Sequence, residues 1–182
     1  MDPDTLVATV QTAVPDAQIE RALSIDRQTT MYVSRDEVAA IAQVLRDRPE
    51  LAFDFLAELT AVDFWPREPR YELVYILVSI GNRLRLRVKV RLPADDPHVS
   101  TVSGIWPAAN WLEREVWDLF GIAFDGHPDP RRLLMPEDWQ GSPLRKDYPV
   151  QIRMTPTSGE ALQVTEEEFR SNLMKDRLSR GR

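Results

Sequence analysis

The sequence predicts an α+β fold, a mixed β-sheet with helices packed on one side, followed by a proline-rich extended C-terminal arm. Three observations carry this. Residues 83–91, RLRLRVKVR, alternate strictly, with Leu84, Leu86, Val88 and Val90 on one face and Arg83, Arg85, Arg87, Lys89 and Arg91 on the other, the period-two signature of a half-buried strand. Candidate elements fall in the order helix, two strands, helix, three strands, which suits helices laid against one sheet. From Pro128 onward, prolines at 128, 130, 136, 143, 149 and 156 forbid long helices and interior strands.

Each element has a local reason. Leu6, Val10, Ala13 and Val14 recur at helical spacing and Pro15-Asp16 supplies a stop, so a short amphipathic helix is expected over 4–14. Extended segments follow at Ile19–Asp26 and Thr29–Ser34. Ser34 and Glu37 have capping-box spacing, and a helix to about Asp47 would bury Val38, Ile41 and Leu45. Leu59–Phe64 reads as a strand ended by Pro66. Tyr71–Ile80, YELVYILVSI, is apolar at both parities except Glu72 and Ser79, which predicts a central strand covered on both faces. Gly81-Asn82 marks the turn into the basic strand.

Composition excludes several function classes. The 182 residues, 43% hydrophobic and 29% charged, fit one domain with an extension. We place a globular domain at 1–127 and an extended docking arm and tail at 128–182. A formal net charge of −6 opposes nucleic-acid binding, which needs a cationic excess. The cations of 83–91 have a commoner role, solvated or paired with carboxylates across the sheet. With zero cysteines the chain has no disulfide, no thiolate-held cluster and no thiol nucleophile. The first residues, MDPDTLVATVQTAVPD, lack the basic and apolar regions of a secretory signal. No apolar run approaches the roughly 18 to 20 residues that span a bilayer. The expected location is the cytoplasm, with membrane attachment only through a partner.

No catalytic apparatus emerges. His98 and His127, each beside a proline, form no i, i+4 pair or H-E-x-x-H pattern. Glu115 and Asp118 are three apart on a helix expected over Pro107–Phe120, as a carboxylate dyad would be. However, Arg114 lies four residues before Asp118, so ion pairing within the helix is the stronger reading. The seven glycines form no phosphate-binding motif.

What remains is a block rich in directional contacts. Leu112, Val116, Leu119 and Phe120 make one apolar stripe, Asn110 and Glu113 offer another helix-start box, and Gly121 can close the helix in the left-handed conformation. Trp111, Glu113 and Trp117 lie off the stripe and are expected to face outward. Arg131, Arg132, Arg145 and Lys146, interspersed with Pro and Trp, have an interface composition.

The run EREVWDLFGIAFDGHPDPRRLL, Glu113 to Leu134, resembles the signature of the C subunit of proton-pumping NADH:quinone oxidoreductase, respiratory complex I. The match includes the Glu-Arg-Glu start, Asp118, Leu119-Phe120, His127 after six intervening residues, and Arg131 followed by Leu133-Leu134. MPEDWQGSPLRKDYP, Met135 to Pro149, is similar to the family's closing block, and WPAANW, Trp106 to Trp111, to its approach. Resemblance is specific over about 98–149. Pro130 departs from it, standing where a leucine is expected, and the chain ends at Arg182 without a fused hydrogenase-like domain, so the stand-alone form of the subunit is expected.

The resemblance implies a subunit with no catalytic, cofactor-binding or metal residues of its own, the iron–sulfur clusters, FMN and quinone site being in partner subunits. Its partners would be the hydrogenase-like D subunit and other hydrophilic-arm subunits, on the cytoplasmic face of the plasma membrane. The candidate interface residues are Glu113, Arg114, Glu115, Trp117, Asp118, His127, Arg131, Arg132, Arg145, Lys146, Asp147 and Tyr148. Two alternatives stand beside it: the equivalent subunit of a ferredoxin-, F420H2- or hydrogenase-linked membrane complex, and an independent enzyme using Glu115, Asp118 and His127 as an acid–base set. The tail over 151–182 is expected to order on a partner, because it has little apolar surface to offset its ordering entropy.

Overall fold

A computed structural model of the chain describes residues 2–149. Helix α1 (Pro3–Ala13) starts where the Asp2 carboxylate accepts the Asp4 amide and Pro3 fills the first turn, and it buries Leu6 and Val10. Strand β1 is Ile19–Ala22 and β2 is Thr30–Val33. The expected Ile19–Asp26 strand is cut short at Ala22, because Asp26 accepts the Gln28 amide in a turn that puts Arg27 at φ 57°.

Helix α2 (Val38–Asp47) follows a short 3-10 turn at Arg35–Glu37 and buries Val38, Ile41, Ala42 and Leu45. The Ser34–Glu37 capping box does not form: Ser34 makes no side-chain cap, and the Glu37 carboxylate instead accepts the Gln18 amide at 2.9 Å.

The three long strands are β3 (Phe55–Asp63), β4 (Tyr71–Ser79) and β5 (Leu84–Leu92). β3 begins four residues before the expected Leu59. An irregularity between Leu56 and Glu58 shifts its register on β4, and that extra residue breaks the alternation by which a strand is read. The sheet order is β1-β2-β5-β4-β3, antiparallel except for the parallel β2–β5 pair. This mixed sheet with three helices is the predicted α+β class.

One face of the sheet holds the core. Tyr71, Leu73, Tyr75 and Leu77 of β4 and Leu86, Val88, Val90 and Leu92 of β5 are buried there. The other face departs from expectation: Val74, Ile76 and Val78 are only half-buried, so β4 is covered on one side. Its apolar residues at both parities reflect a central position in the sheet rather than a second helical layer.

Beyond β5 come β6 (His98–Ser100), α3 (Ala109–Phe120) and β7 (Ala123–Asp125), with β6 and β7 pairing in parallel as a separate two-stranded sheet. Trp106 anchors the approach to α3 by donating its indole N–H to the Phe53 carbonyl at 2.8 Å. One compact unit reaches as far as Tyr148, so the chain after residue 127 stays with the domain well past the expected boundary. The expectations for 151–182 lie outside the described residues.

Candidate subunit interface

Helix α3 positions the block. Val116 and Phe120 are buried, and Leu112, Trp117 and Leu119 pack partly against the core. Gly121 closes the helix at φ 70°, its amide donating to the Trp117 carbonyl at 2.8 Å.

Arg114 and Asp118 do not pair with each other along the helix. Arg114 donates Nε–H to the Arg131 carbonyl (3.0 Å) and Nη2–H to the Arg132 carbonyl (3.1 Å), and Nη1 is 3.3 Å from Asp129. Asp118 accepts the backbone amides of Leu133, Leu134 and Met135 at 2.8 to 3.0 Å through Oδ2, and Arg132 donates to its Oδ1. Burial alone would raise the Asp118 pKa, but these amides and Arg132 outweigh it and hold the carboxyl below the usual range. Two residues one turn apart therefore grip successive stretches of the arm. The i, i+4 pairing read from sequence loses because a lone cation offers less than an arginine plus three aligned N–H groups.

The arm then closes the C-terminal end of α3. Leu144 donates its amide to the Leu119 carbonyl (3.0 Å), and Arg145 donates Nε–H to the Phe120 carbonyl (2.6 Å). Carbonyls left over at a helix end attract such cations and donors. Further along, Arg70 bridges Asp63 and Asp147: its Nη2 is 2.9 Å from Asp63 Oδ2 and 2.6 Å from Asp147 Oδ1. The Lys146 amide also donates to Asp63 (2.8 Å). Burial pushes Asp63 up, yet Arg70 and the amides of Lys146 and Trp65 prevail and bring it to about 2.

Glu113 corrects the expected outward face. Its side chain is fully buried, accepting the Val102 amide at 2.7 Å and the Thr101 hydroxyl, so the Asn110–Glu113 box is absent. His127 Nδ1 accepts the Asp129 amide (3.0 Å), which leaves the ring proton on Nε2, 3.1 Å from the Asn110 carbonyl and 3.8 Å from Glu113. Burial pushes Glu113 up to about 7, against the lowering effect of Thr101 and Val102. Glu113, Arg114, Trp117, Phe124 and His127 line a recess of about 100 Å³.

The remaining candidates lie toward the surface. Glu115 and Lys146 are exposed, and the Arg131 side chain, 79% exposed, pairs among the described residues with Asp129. Trp117 is half-buried beneath Arg132, and Tyr148 donates its hydroxyl to the Gln140 carbonyl at 2.9 Å. Trp111, 59% exposed and beside Arg114, does face outward as expected. Of the three residues of the acid–base alternative, Glu115 is exposed, while Asp118 and His127 have separate hydrogen-bond partners. Sequence reasoning missed Arg70, Asp63 and Glu113's buried partner Thr101, which no short-range pattern marks.

Among the described residues no cluster of three or more His, Cys, Asp or Glu is arranged for a metal ion, and no helix is long and apolar enough to cross a membrane.

Fold and site define an α+β domain whose C-terminal arm is fastened to it by arginine–carboxylate and arginine–carbonyl contacts. The chain belongs to the respiratory-chain NADH dehydrogenase 30 Kd subunit family, whose model matches residues 31–153. It is 45% identical over 150 residues to the C subunit of the NADH-quinone oxidoreductase of Roseiflexus sp. (strain RS-1), covering 82% of this chain and 86% of the relative. With the C 2 subunit of the Rhizobium meliloti (strain 1021) enzyme it shares 42% identity, covering 77% and 78%. Among solved structures, a trypsin-resistant fragment of Nqo5 matches with TM-score 0.51 and 32% identity, covering 71% of this chain and 99% of the fragment. A chain of the membrane-bound sulfane sulfur reductase, an archaeal respiratory membrane complex, matches with TM-score 0.67 and 29% identity, covering 81% and 85%. The chain is accordingly a complex I 30 kDa-type subunit of an NADH:quinone oxidoreductase.

Proposed function

We propose that this subunit works as a cofactor-free brace, docking the D subunit and other hydrophilic-arm subunits on the cytoplasmic face of the membrane while electrons pass from NADH through clusters in those partners to quinone. The carrying observation is how the signature charges are used. Arg114, Asp118, Arg132, Arg145 and the Arg70–Asp147 pair fix the arm to its own domain, which presents Trp111, Glu115, Arg131 and Lys146 on a surface already in shape. A preformed surface loses less entropy on docking. An iron–sulfur cluster does not fit the residues present, since the chain has no cysteine.

The likeness to a chain of the sulfane sulfur reductase supports the same reading. A fold that recurs in assemblies named for different reactions suits a scaffold, and it is the one observation behind the related-complex alternative for the electron donor.

Replacing both Arg131 and Lys146 by alanine tests the proposal. Both side chains are exposed, so the free subunit should keep its melting temperature while the amount of assembled complex on native gels falls, with turnover per assembled complex near normal. Full assembly with turnover reduced about 100-fold or more, the loss typical of a general acid or base, would instead make this a catalytic subunit. Feeding the assembly NADH against other donors decides the second reading.

A further inference from the structure

The sheet face opposite the helices divides into two halves. Along β5 three cations are matched within the chain, Arg87 to Asp26 at 2.7 Å, Lys89 to Glu72 at 2.7 Å and Arg91 to Glu20 at 3.2 Å, with Arg91 stacked 3.7 Å from the Tyr32 ring, while Arg85, opposite Val78, is exposed. Their aliphatic stems also cover the sheet beneath. β3 has no such cover among the described residues. Its cross-strand pairs are Phe55 with Val78, Glu58 with Ile76 and Thr60 with Val74. Phe55 is 51%, Val62 39%, Phe64 39% and Trp65 53% exposed.

β3 is also an outer strand of the sheet, nine residues long, and among the described residues it bonds in the sheet only to β4. A row of outward backbone groups of that length is a template for another strand unless charge, proline or irregularity blunts it. β3 has one register irregularity near its start and one outward charge, Glu58, which has no ion-pair partner among the described residues. The opposite edge, β1, has only four residues.

We propose that β3 and the apolar half-face beside it seat an extended strand of a partner subunit, one with apolar side chains in alternation and a lysine or arginine placed against Glu58. This rests on the docking role proposed above. Strand addition satisfies outward amides and carbonyls through the main chain, while side chains on the shared face supply selectivity. Charge decides against a second copy of this chain. Each carries net charge −6, and an antiparallel β3–β3 pair centred on Leu59 would bring two Glu58 carboxylates within diagonal reach on one face.

Hydrogen exchange on the full chain, free and in the assembled complex, tests the seat. Amides over 56–62 directed away from β4 should slow at least about 10-fold on assembly, as they enter a hydrogen-bonded ladder, while those of β1 stay unchanged. Glu58→Lys should cut assembled complex about 10-fold or more with the melting temperature of the free chain unaltered, since Glu58 is exposed. Assembly with no slowing on β3 overturns the seat and leaves the docking role intact. Failure of the unmodified chain to assemble at all overturns both. β3 protection in the free chain that rises with concentration assigns the edge to a second copy, and protection independent of concentration assigns it to the chain's own residues after Pro149. Either result overturns the partner strand.

Discussion

Arg70 and Asp147, 77 positions apart, meet with Nη2 2.6 Å from Oδ1, and the same guanidinium holds the fully buried Asp63 carboxylate. With the Lys146 amide on Asp63, this contact joins the chain at 146–147 to the β3–β4 end of the sheet. Arg70→Ala would leave Asp63 buried without its cation, a loss of about 3 to 5 kcal/mol. Chemical denaturation should show it, with faster exchange at the Lys146 amide. Arg70→Lys should recover only part, because an ammonium cannot make the two-pronged contact. Wild-type stability after Arg70→Ala would mean that the clamp is incidental.

The same carboxylate sets an acid limit. Because the folded pKa of Asp63 lies near 2, below its ordinary 3.8, its contribution is present above about pH 4 and is lost as pH falls through 2. The difference corresponds to about 2 kcal/mol. Asp63→Asn should flatten this part of the acid unfolding profile.

Glu113 works in the opposite direction. Its folded pKa of about 7 stands above the ordinary 4.5, so its contribution is full below about pH 4.5 and lost as pH rises through 7, about 3 kcal/mol in all. The Glu113→Gln variant keeps an acceptor for the Val102 amide and carries no charge. Its stability should be nearly flat between pH 5 and 9, crossing above the parent on the alkaline side in urea titrations at fixed pH. Parallel curves for the two proteins would show that Glu113 does not titrate in this window.

Asp118→Asn should cost about 3 kcal/mol. It removes the charge that Arg132 meets and weakens acceptance of the three amides of 133–135. Exchange at those amides should rise far more than in β4, which separates loss of the arm's anchor from general unfolding.

Gly121 and Gly104 make a matched pair. A Cβ at Gly121 would need φ 70° and would come 2.6 Å from Arg145 Nη2, whereas one at Gly104 meets nothing within 4 Å. Gly121→Ala should cost at least about 2 kcal/mol, the left-handed backbone plus displacement of Arg145. Gly104→Ala should stay within about 0.5 kcal/mol, the usual range at open surface positions. Thermal melts of the two variants check both.

Much of this protein is determined by sequence alone where the cause is local. The alternation of 83–91 specifies β5, which forms one residue further on at Leu84–Leu92, and the apolar stripe of α3 with Gly121 after it specifies that helix and its end. Period and propensity act within a few residues and are visible as pattern. The block from Glu113 to Tyr148 was legible as one dense in directional contacts for the same reason, through its composition.

Partner choice was decided only by tertiary structure. Chain order assigns Arg114 to Asp118, yet each finds better company 14 to 18 residues on, where backbone groups are already aligned. Glu113 has the spacing of a helix cap, but burial carries it to the Thr101–Val102 turn. β3 hides its first residues behind a register shift that only its pairing with β4 reveals, and Arg70 becomes a clamp only once Asp147 is folded back beside Asp63. Hydrophobic periodicity repeats along the chain and can be read there. Charge pairing depends on distance in space and on lost solvent, which exist only after the chain has folded.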